Sequence, residues 1–379
     1  MTLPPKIRYN IGMKAICSGV DLSDAVSKVI KACAARSTNP MLECIKLEAR
    51  GGVIKFTATD LELGIEKSIA AQTPIEGEAV VAGKFFADFV SKLKYEQIEL
   101  SLTDNSLRVR YGDSDGKFMT APAAEFPPIR QVDLAQNFVI AKRDFKDLIN
   151  KAAFSVSADD SRPILKGVLL EIDEGTATAV ALDGFRLARC VRPVKKATDK
   201  LKAIVPARCL TEIARVIDGT DEETVTVYVQ KSYLMADLGR TKVTTRLIDG
   251  DFVNYRNIIP IRFETTTIVK KDEFGDALAR AILLARSERN NMVKFDIRDN
   301  CLTVSSNSEV GALNEKLVVK TTGKDIAIAF NASYFAQILS SVETDTVTIN
   351  FINSTSPCVV TPTSTSEDLL YLVLPVRLV

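Results

Sequence analysis

The sequence predicts an α+β protein made of three copies of one domain, each with two helices packed on antiparallel sheets. Two observations lead to this prediction. An aspartate that ends a strand-like stretch occurs at Asp60 and again 123 residues later at Asp183, with a degraded third copy at Asn307. The same order of helix-like and strand-like segments surrounds each copy. A solenoid has repeats of about 20 to 50 residues, so three domains of ordinary size are the better interpretation of the 379 residues.

Each copy begins with a segment of helical periodicity. In the first copy, apolar residues recur every three or four positions from Leu22 to Cys33, which predicts a helix with one buried face over 22–35. Lys28 lies outside this apolar stripe and is expected in solvent. Corresponding helices are predicted around 145–149 and 274–278.

A strand pair follows the first helix. Residues 45–49 and 54–58 alternate between apolar and polar side chains, and Gly51 and Gly52 separate them. This pattern is typical of a hairpin with a tight turn.

A second helix and a second strand pair complete each copy. The helix is predicted at about 83–93, with Phe85 among its buried residues. Alternation in 98–102 and 107–111 then predicts two further strands.

The joints between copies repeat as well. Phe126, before two prolines, and Phe252 lie 126 residues apart. We therefore predict the following segments: an N-terminal extension over 1–12, and domains over 13–133, 134–260 and 261–379.

The composition favours a binding protein over an enzyme. The chain has no histidine, which removes the commonest general base and zinc ligand, and it has no glycine-rich phosphate loop. We expect no cofactor, no metal and no catalytic activity. The seven scattered cysteines are expected to be small buried side chains. No long apolar run or signal peptide is evident, so no membrane association is expected and the cytoplasm is the predicted compartment.

Asp60 and Asp183 leave one enzymatic alternative, in which they act as catalytic carboxylates. That hypothesis predicts metal dependence, and it does not account for the asparagine at position 307. An aspartate directly after a strand more simply stabilises a turn through its side chain.

Several motifs together resemble the bacterial sliding clamp family, the beta subunits of DNA polymerase III. The similarity runs from Met13 to the end of the chain. The segments that carry it are Arg162–Gly167, Leu182–Ala188, Phe252–Tyr255, Phe330–Tyr334 and Leu372–Leu378.

This resemblance implies a ring of two crescent-shaped subunits, with six domains around duplex DNA and the copies joined head to tail as a homodimer. It implies a processivity factor that performs no reaction. The implied partners are double-stranded DNA of any sequence, a second copy of the chain, the DNA polymerase III alpha subunit, the clamp loader and other clamp-motif proteins. The alternative is a triplicated protein-interaction scaffold that does not encircle DNA, which would show no gathering of positive charge on its helical side.

A sliding ring must attract phosphates without reading bases, so it needs dispersed basic residues on its inner helices. Arg36 closes the first helix, Lys84 opens the second, and Arg208 opens the counterpart of the second helix 124 residues after Lys84. The candidate DNA-binding residues are Arg36, Lys84, Arg162, Arg208, Lys28 and Lys151.

The resemblance also implies a cleft between the second and third domains that holds a hydrophobic partner peptide. Phe185 replaces a frequent histidine there, Asn257 stands where a basic residue is common, and Val379 extends the usual ending by one residue. The matching positions are Leu165, Leu182, Gly184, Phe185, Arg186, Leu187, Ile258, Tyr334, Val373, Leu374, Pro375, Val376, Arg377 and Leu378.

The implied subunit interface joins the first domain of one copy to the third domain of another. Ile282 and Leu283 match the apolar contact on the third domain, and Phe118 matches its partner edge on the first. Glu309 and Glu315 are the acidic residues expected to accompany this contact.

Overall fold

The computed structural model describes residues 11–218, 222–285, 291–309, 311–363 and 368–376. The chain divides into two compact units. The first unit comprises Met1–Lys142 and Glu212–Leu247, and the second comprises Arg143–Thr211 and Ile248–Val379. Of the predicted N-terminal extension, residues 1–10 lie outside the described residues, and the first strand already begins at Ile11.

The elements follow the predicted order of helix and strand pairs three times. The helices are α1 (Gly19–Val29), α2 (Gly83–Val90), α3 (Lys142–Ala152), α4 (Ala207–Ile217), α5 (Lys271–Ala285) and α6 (Ala332–Ser341). The strands are β1 (Ile11–Ser18), β2 (Cys44–Arg50), β3 (Val53–Thr59), β4 (Leu63–Ile75), β5 (Gly77–Ala82), β6 (Gln97–Thr103), β7 (Ser106–Tyr111), β8 (Ser114–Ala121), β9 (Asn137–Ala141), β10 (Gly167–Asp173), β11 (Thr176–Leu182), β12 (Arg186–Pro193), β13 (Lys196–Ala197), β14 (Leu201–Pro206), β15 (Thr224–Gln230), β16 (Tyr233–Asp237), β17 (Thr241–Arg246), β18 (Thr265–Lys270), β19 (Met292–Arg298), β20 (Cys301–Ser308), β21 (Gly311–Val318), β22 (Lys320–Gly323), β23 (Ile326–Asn331), β24 (Thr346–Phe351), β25 (Cys358–Pro362) and β26 (Leu369–Val373).

The first unit is built on antiparallel pairing in the order β1-β6-β7-β8-β5-β2-β3-β4-β17-β16-β15-β9. Strand β1 pairs with β6 and also with the end of β4. The second pairing connects the first strand of the order β1-β6-β7-β8-β5-β2-β3-β4 to the last. The start of β4 pairs with β17, so that Leu63 lies opposite Thr245. One long strand therefore belongs to the first repeat and also extends the sheet into strands of the second.

The second unit repeats the pairing between strands of two repeats but divides its strands between two sheets. A nine-stranded sheet has the order β14-β10-β11-β12-β26-β25-β24-β18-β22, and a four-stranded sheet has the order β21-β20-β19-β23. Strand β12 pairs with β26, and Arg186 lies opposite Val373. The third repeat has an aromatic core in which the Phe295 and Phe335 rings meet edge to face with centroids 5.1 Å apart.

The predicted hairpin after the first helix is present in all three repeats. Each turn places both of its central residues at positive φ, which is the requirement of a type I′ turn and gives the right-handed twist of the flanking strands. The turn residues are Gly51 (φ 58) and Gly52 (φ 81), Glu174 (φ 46) and Gly175 (φ 78), and Asp299 (φ 49) and Asn300 (φ 58).

Two expectations for the helices are wrong. Helix α1 ends at Val29 and continues only as a short 3-10 turn over Ile30–Ala32, so the predicted length to residue 35 was too great. Phe85 was expected to be buried but is 72% exposed, whereas Phe86 next to it is fully buried. Two adjacent helical residues point about 100° apart, and in α2 Phe86 lies on the buried face while Phe85 lies on the exposed one.

Cysteines behave largely as small apolar side chains. Cys17, Cys44 and Cys358 are buried, and Cys33 and Cys301 are partly buried. Burial, with a smaller contribution from Asp21, raises the pKa of the Cys17 thiol to about 12. Within the described ranges, no helix is long and apolar enough to cross a membrane.

Candidate functional site

The two repeated aspartates serve as turn-forming side chains. Asp183 Oδ1 accepts hydrogen bonds from the backbone N–H groups of Phe185 (2.8 Å) and Arg186 (2.9 Å). Asp60 Oδ1 accepts from the corresponding groups after β3, at 3.1 Å and 2.8 Å. Asn307 instead lies within β20, where it pairs with Ala312. Both carboxylates therefore accept the backbone hydrogen bonds that define an Asx turn. The enzymatic alternative loses the observation on which it rested, since these aspartates have a structural role.

The residue after each aspartate adopts a left-handed conformation. This residue is Gly184 (φ 94) in the second copy and Leu61 (φ 76) in the first. An L-residue at such an angle costs about 1 kcal/mol relative to glycine. We expect Leu61→Gly to raise the free energy of unfolding by about 1 kcal/mol, and Gly184→Ala to lower it by a similar amount. Urea unfolding of both variants tests this, and equal signs for the two would contradict it.

Arg186 is the most highly connected side chain at the second turn, although only 8% of it is exposed. Its Nε donates to Asp183 Oδ2 (3.0 Å), its Nη1 to Gln337 Oε1 (2.5 Å) and its Nη2 to the Phe154 carbonyl oxygen (2.7 Å). The guanidinium carbon lies 4.6 Å from the ring centroid of Tyr334. Arg186 thus joins β12, α6 and the segment after α3 through one buried cation.

An apolar surface lies beside this cation. Phe185 is 61% exposed, Ile258 is 38% exposed and Leu374 is 36% exposed, high values for large hydrophobic side chains. The Leu374 N–H donates to the Phe185 carbonyl oxygen (2.8 Å), which fixes the last described residues along the turn. Burial, together with the charge of Asp183, raises the pKa of the neighbouring Tyr334 hydroxyl. Exposed apolar side chains on a fixed backbone suit an extended peptide.

Other predicted cleft residues form the floor beneath this surface. Leu165, Leu182 and Leu187 belong to one buried hydrophobic cluster, and Val373 is fully buried. Pro375 and Val376 are partly exposed, and Val376 N–H donates to the Ala329 carbonyl oxygen at 2.8 Å. Arg377 and Leu378 lie outside the described residues.

The sequence analysis missed a group of side chains on the linker between the second and third domains. The Tyr255 hydroxyl donates to Glu171 Oε2 (2.9 Å), and Arg256 Nη2 donates to the same oxygen (2.7 Å). The Arg256 guanidinium also lies 4.7 Å from the centroid of the Tyr255 ring. No sequence signal identifies this pairing, because a glutamate on an alternating strand normally faces solvent.

The pKa of Tyr255 predicts how the free energy of unfolding depends on pH. Burial, followed by the hydrogen bond to Glu171 and its charge, raises the pKa of Tyr255 to about 12, whereas an unfolded chain has a tyrosine pKa of about 10. The folded state holds this proton more tightly. The stabilisation is therefore complete below pH 10 and is lost as the pH rises through 12. We expect Tyr255→Phe to remove about 2 kcal/mol of pH-dependent unfolding free energy in this range, measured against the exposed-site control Tyr95→Phe.

The six candidate DNA-binding residues fall into two groups. Arg36, Lys84, Arg162 and Arg208 are exposed. Lys28 and Lys151 are 6% and 4% exposed, so the expectation that Lys28 faces solvent was wrong. Lys28 Nζ lies 2.9 Å from Asp24, and Lys151 Nζ lies 3.3 Å from Glu343. The carboxylate partner of each ammonium offsets the free-energy cost of burying its charge.

The predicted interface residues differ in exposure. Leu283 is 65% exposed, and Ile282 is partly buried. Phe118 is partly buried, with its ring centroid 5.1 Å from that of Phe89. Of the two acidic residues, Glu315 pairs with Arg280 at 2.5 Å and 2.6 Å within the same chain, and Glu309 is exposed.

Comparison with known protein families accounts for this arrangement. Three models of the DNA polymerase III beta subunit match in chain order: the N-terminal domain over 13–130, the central domain over 139–254 and the C-terminal domain over 256–377. The chain belongs to the DNA polymerase III beta subunit family. The predicted α+β clamp fold of three domains is thereby confirmed, as is the prediction of a non-catalytic sliding clamp.

Individual members of the beta subunit family match along nearly the whole chain. The beta sliding clamp of Bacillus subtilis is 29% identical over 369 residues, which cover 94% of this chain and 97% of the relative. The beta sliding clamp of Staphylococcus aureus is 26% identical and covers 93% and 96%. The crystal structure of the Thermotoga maritima beta subunit has a TM-score of 0.92 at 30% identity, and covers 97% of this chain and all of that one.

Proposed function

We propose that this chain works as a processivity clamp: two copies close head to tail into a ring around duplex DNA and tether a polymerase to it. The observation that carries the proposal is the presence of all three clamp domains, in order, over nearly the whole chain. As domain boundaries we propose the segments 13–133, 134–260 and 261–379, with 1–12 as an extension. We propose the cytoplasm as its compartment, in keeping with a function on DNA.

In this proposal the exposed basic residues contact the DNA phosphates. Arg36, Lys84, Arg162 and Arg208 are exposed in the structure and are therefore the better candidates among the six predicted residues. Lys28 and Lys151 contribute less in this proposal, because each is buried with a carboxylate partner. Contacts from single dispersed cations bind phosphates irrespective of sequence, and they weaken with salt.

Closure of the ring uses unpaired strand edges and exposed apolar side chains. Among the described strands, β8 pairs only with β7 between Ser114 and Met119, and β21 stands at the edge of its sheet. Met119 is 72% exposed and Leu283 is 65% exposed. Edges of this kind join other chains readily, so we assign β8 of one copy and β21 with α5 of the next to the interface.

The surface formed by Phe185, Ile258, Tyr334 and Leu374 is the proposed peptide cleft. Its occupants are short hydrophobic segments of the DNA polymerase III alpha subunit, the clamp loader and other clamp-motif proteins. Phe185 offers an exposed ring that supports stacking with an aromatic peptide residue.

Retention on closed DNA tests the ring. The protein is loaded by a clamp loader onto nicked circular DNA and passed through a sizing column at high salt, before and after the circle is linearised. A ring remains on the circle and leaves the linear form, because enclosure does not depend on screened contacts. Equal retention on both forms would support the scaffold that never encircles DNA.

A further inference from the structure

The first unit contains a groove at the turn that corresponds to the cleft turn of the second unit. It encloses about 210 Å³ between the β3–β4 turn, the linker residues 128–130 and the ends of β16 and β17. Its lining includes the side chains of Leu61, Ile129 and Tyr233, together with two arginines, Arg130 and Arg246.

The backbone of this groove repeats that of the proposed cleft. The Arg246 N–H donates to the Glu62 carbonyl oxygen at 2.9 Å, as the Leu374 N–H donates to the Phe185 carbonyl oxygen at 2.8 Å. Arg246 therefore occupies the position of Leu374. A guanidinium replaces an apolar side chain at the same place on the same framework.

The second arginine of the groove, Arg130, differs in its environment from its counterpart in the second unit, Arg256. Arg256 in the second unit is held by Glu171 at 2.7 Å. The equivalent glutamate in the first unit, Glu48, instead lies 3.3 Å from Lys55. Arg130 is the counterpart of Arg256, and neither it nor the groove's other arginine has an ion-pair partner in the part of the chain that the structure describes.

Leu61 projects an apolar side chain at the same turn. It is 60% exposed and has a φ of 76°, although the equivalent position of the cleft is a glycine. A non-glycine residue in this conformation is strained, and strain of this kind collects at binding sites. The only acidic side chain in the groove lining is Glu62, so two arginines give the described lining a net positive charge.

We propose that this groove is a second docking site, for an extended peptide in which apolar side chains are flanked by acidic residues. The apolar part contacts Leu61, Ile129 and Tyr233, and the flanking carboxylates meet Arg130 and Arg246. Complementary charge selects acidic peptides and rejects basic ones. The site extends beyond the proposed polymerase tether, because it lies in the other unit and favours a different peptide.

Photo-crosslinking of the full-length protein tests the site. The probe is the N-acetylated, C-amidated peptide Glu-Leu-Phe-Asp with a diazirine on the Phe ring, and cross-linked positions are read by mass spectrometry. We expect labels in the segments that contain Leu61 or Tyr233. The neutral analogue Gln-Leu-Phe-Asn should label them roughly tenfold less, as the loss of two charge contacts predicts.

Charge reversal provides the matched variants. Arg246→Glu and Arg130→Glu should each lower groove labelling about fivefold. Arg240→Glu, an exposed arginine at the other end of the same hairpin, should leave it unchanged. Equal loss in all three variants, or no loss in any, would overturn the proposal. All three substitutions are at exposed arginines and are expected to leave the melting temperature unchanged.

Two further readouts separate this site from other interpretations. Displacement of the groove label by a short duplex DNA at low salt would reassign the arginines to phosphate binding and overturn the peptide assignment. Labels confined to Phe185 and Leu374 would do so as well. Retention on circular DNA is measured independently, so failure of the groove and failure of the clamp function remain distinguishable.

Discussion

Replacement of Arg186 by alanine is expected to lower the free energy of unfolding by about 3 to 5 kcal/mol. The substitution leaves Asp183, whose side chain is 13% exposed, without its cation. It also removes the donors to Gln337 and to the Phe154 carbonyl oxygen. In a domain of this size the melting temperature should fall by roughly 10 °C, as measured by calorimetry on the full chain.

Arg189→Ala is the matched control on the same strand. Arg189 makes a bidentate pair with Asp368, at 2.9 Å for both contacts, but its side chain is 27% exposed. A pair open to solvent contributes about 1 kcal/mol or less. Arg186→Lys should recover only part of the loss, because an ammonium cannot reproduce the planar fork. Similar losses for Arg186→Ala and Arg189→Ala would show that the buried network does not stabilise the fold.

Leu283→Asp is expected to weaken association of two copies on the order of 100-fold. Leu283 is 65% exposed in the single chain, so the folded subunit should keep its stability. In the proposed interface the new carboxylate would be buried without a partner, and the ring would open. Sedimentation velocity gives the dissociation constant, and the half-life on circular DNA gives the functional effect.

The control for this substitution is Leu134→Asp. Leu134 is 57% exposed and lies on the linker in the first unit, outside the strand edges assigned to the interface. It should change neither the dissociation constant nor the retention. Unchanged association in Leu283→Asp would remove α5 from the interface and leave ring closure to the strand edges alone.

The repeat and its turns could be predicted from sequence because their signals are local. Gly51 and Gly52 mark a type I′ turn, and Asp60 and Asp183 follow strands at positions where a side chain satisfies the next backbone N–H groups. These requirements hold whatever packs nearby. Phe185, which the resemblance assigned to the cleft, lies exposed at the second turn, and its role in peptide binding stays a prediction.

Interactions between residues that lie far apart in the chain could not be predicted from the sequence. The helical pattern predicts that Lys28 is exposed to solvent, but its side chain is buried and its Nζ pairs with Asp24. The helix that contains it, α1, packs against β3 and β4. The contacts of Arg186 with Gln337 span 151 residues. Periodicity along one helix or strand contains no information on which charged group approaches from another.

The repeats are joined by main-chain hydrogen bonds, through β4 with β17 in the first unit and β12 with β26 in the second. Every residue except proline has the same backbone N–H and C=O groups, so these joints persist when other side chains replace those beside them. Such a chain can diverge widely while its registers stay fixed, in keeping with a TM-score of 0.92 at 30% identity to the Thermotoga maritima subunit. Duplicated joints can then acquire different side chains, one apolar and one cationic, and evolve as separate surfaces on one inherited scaffold.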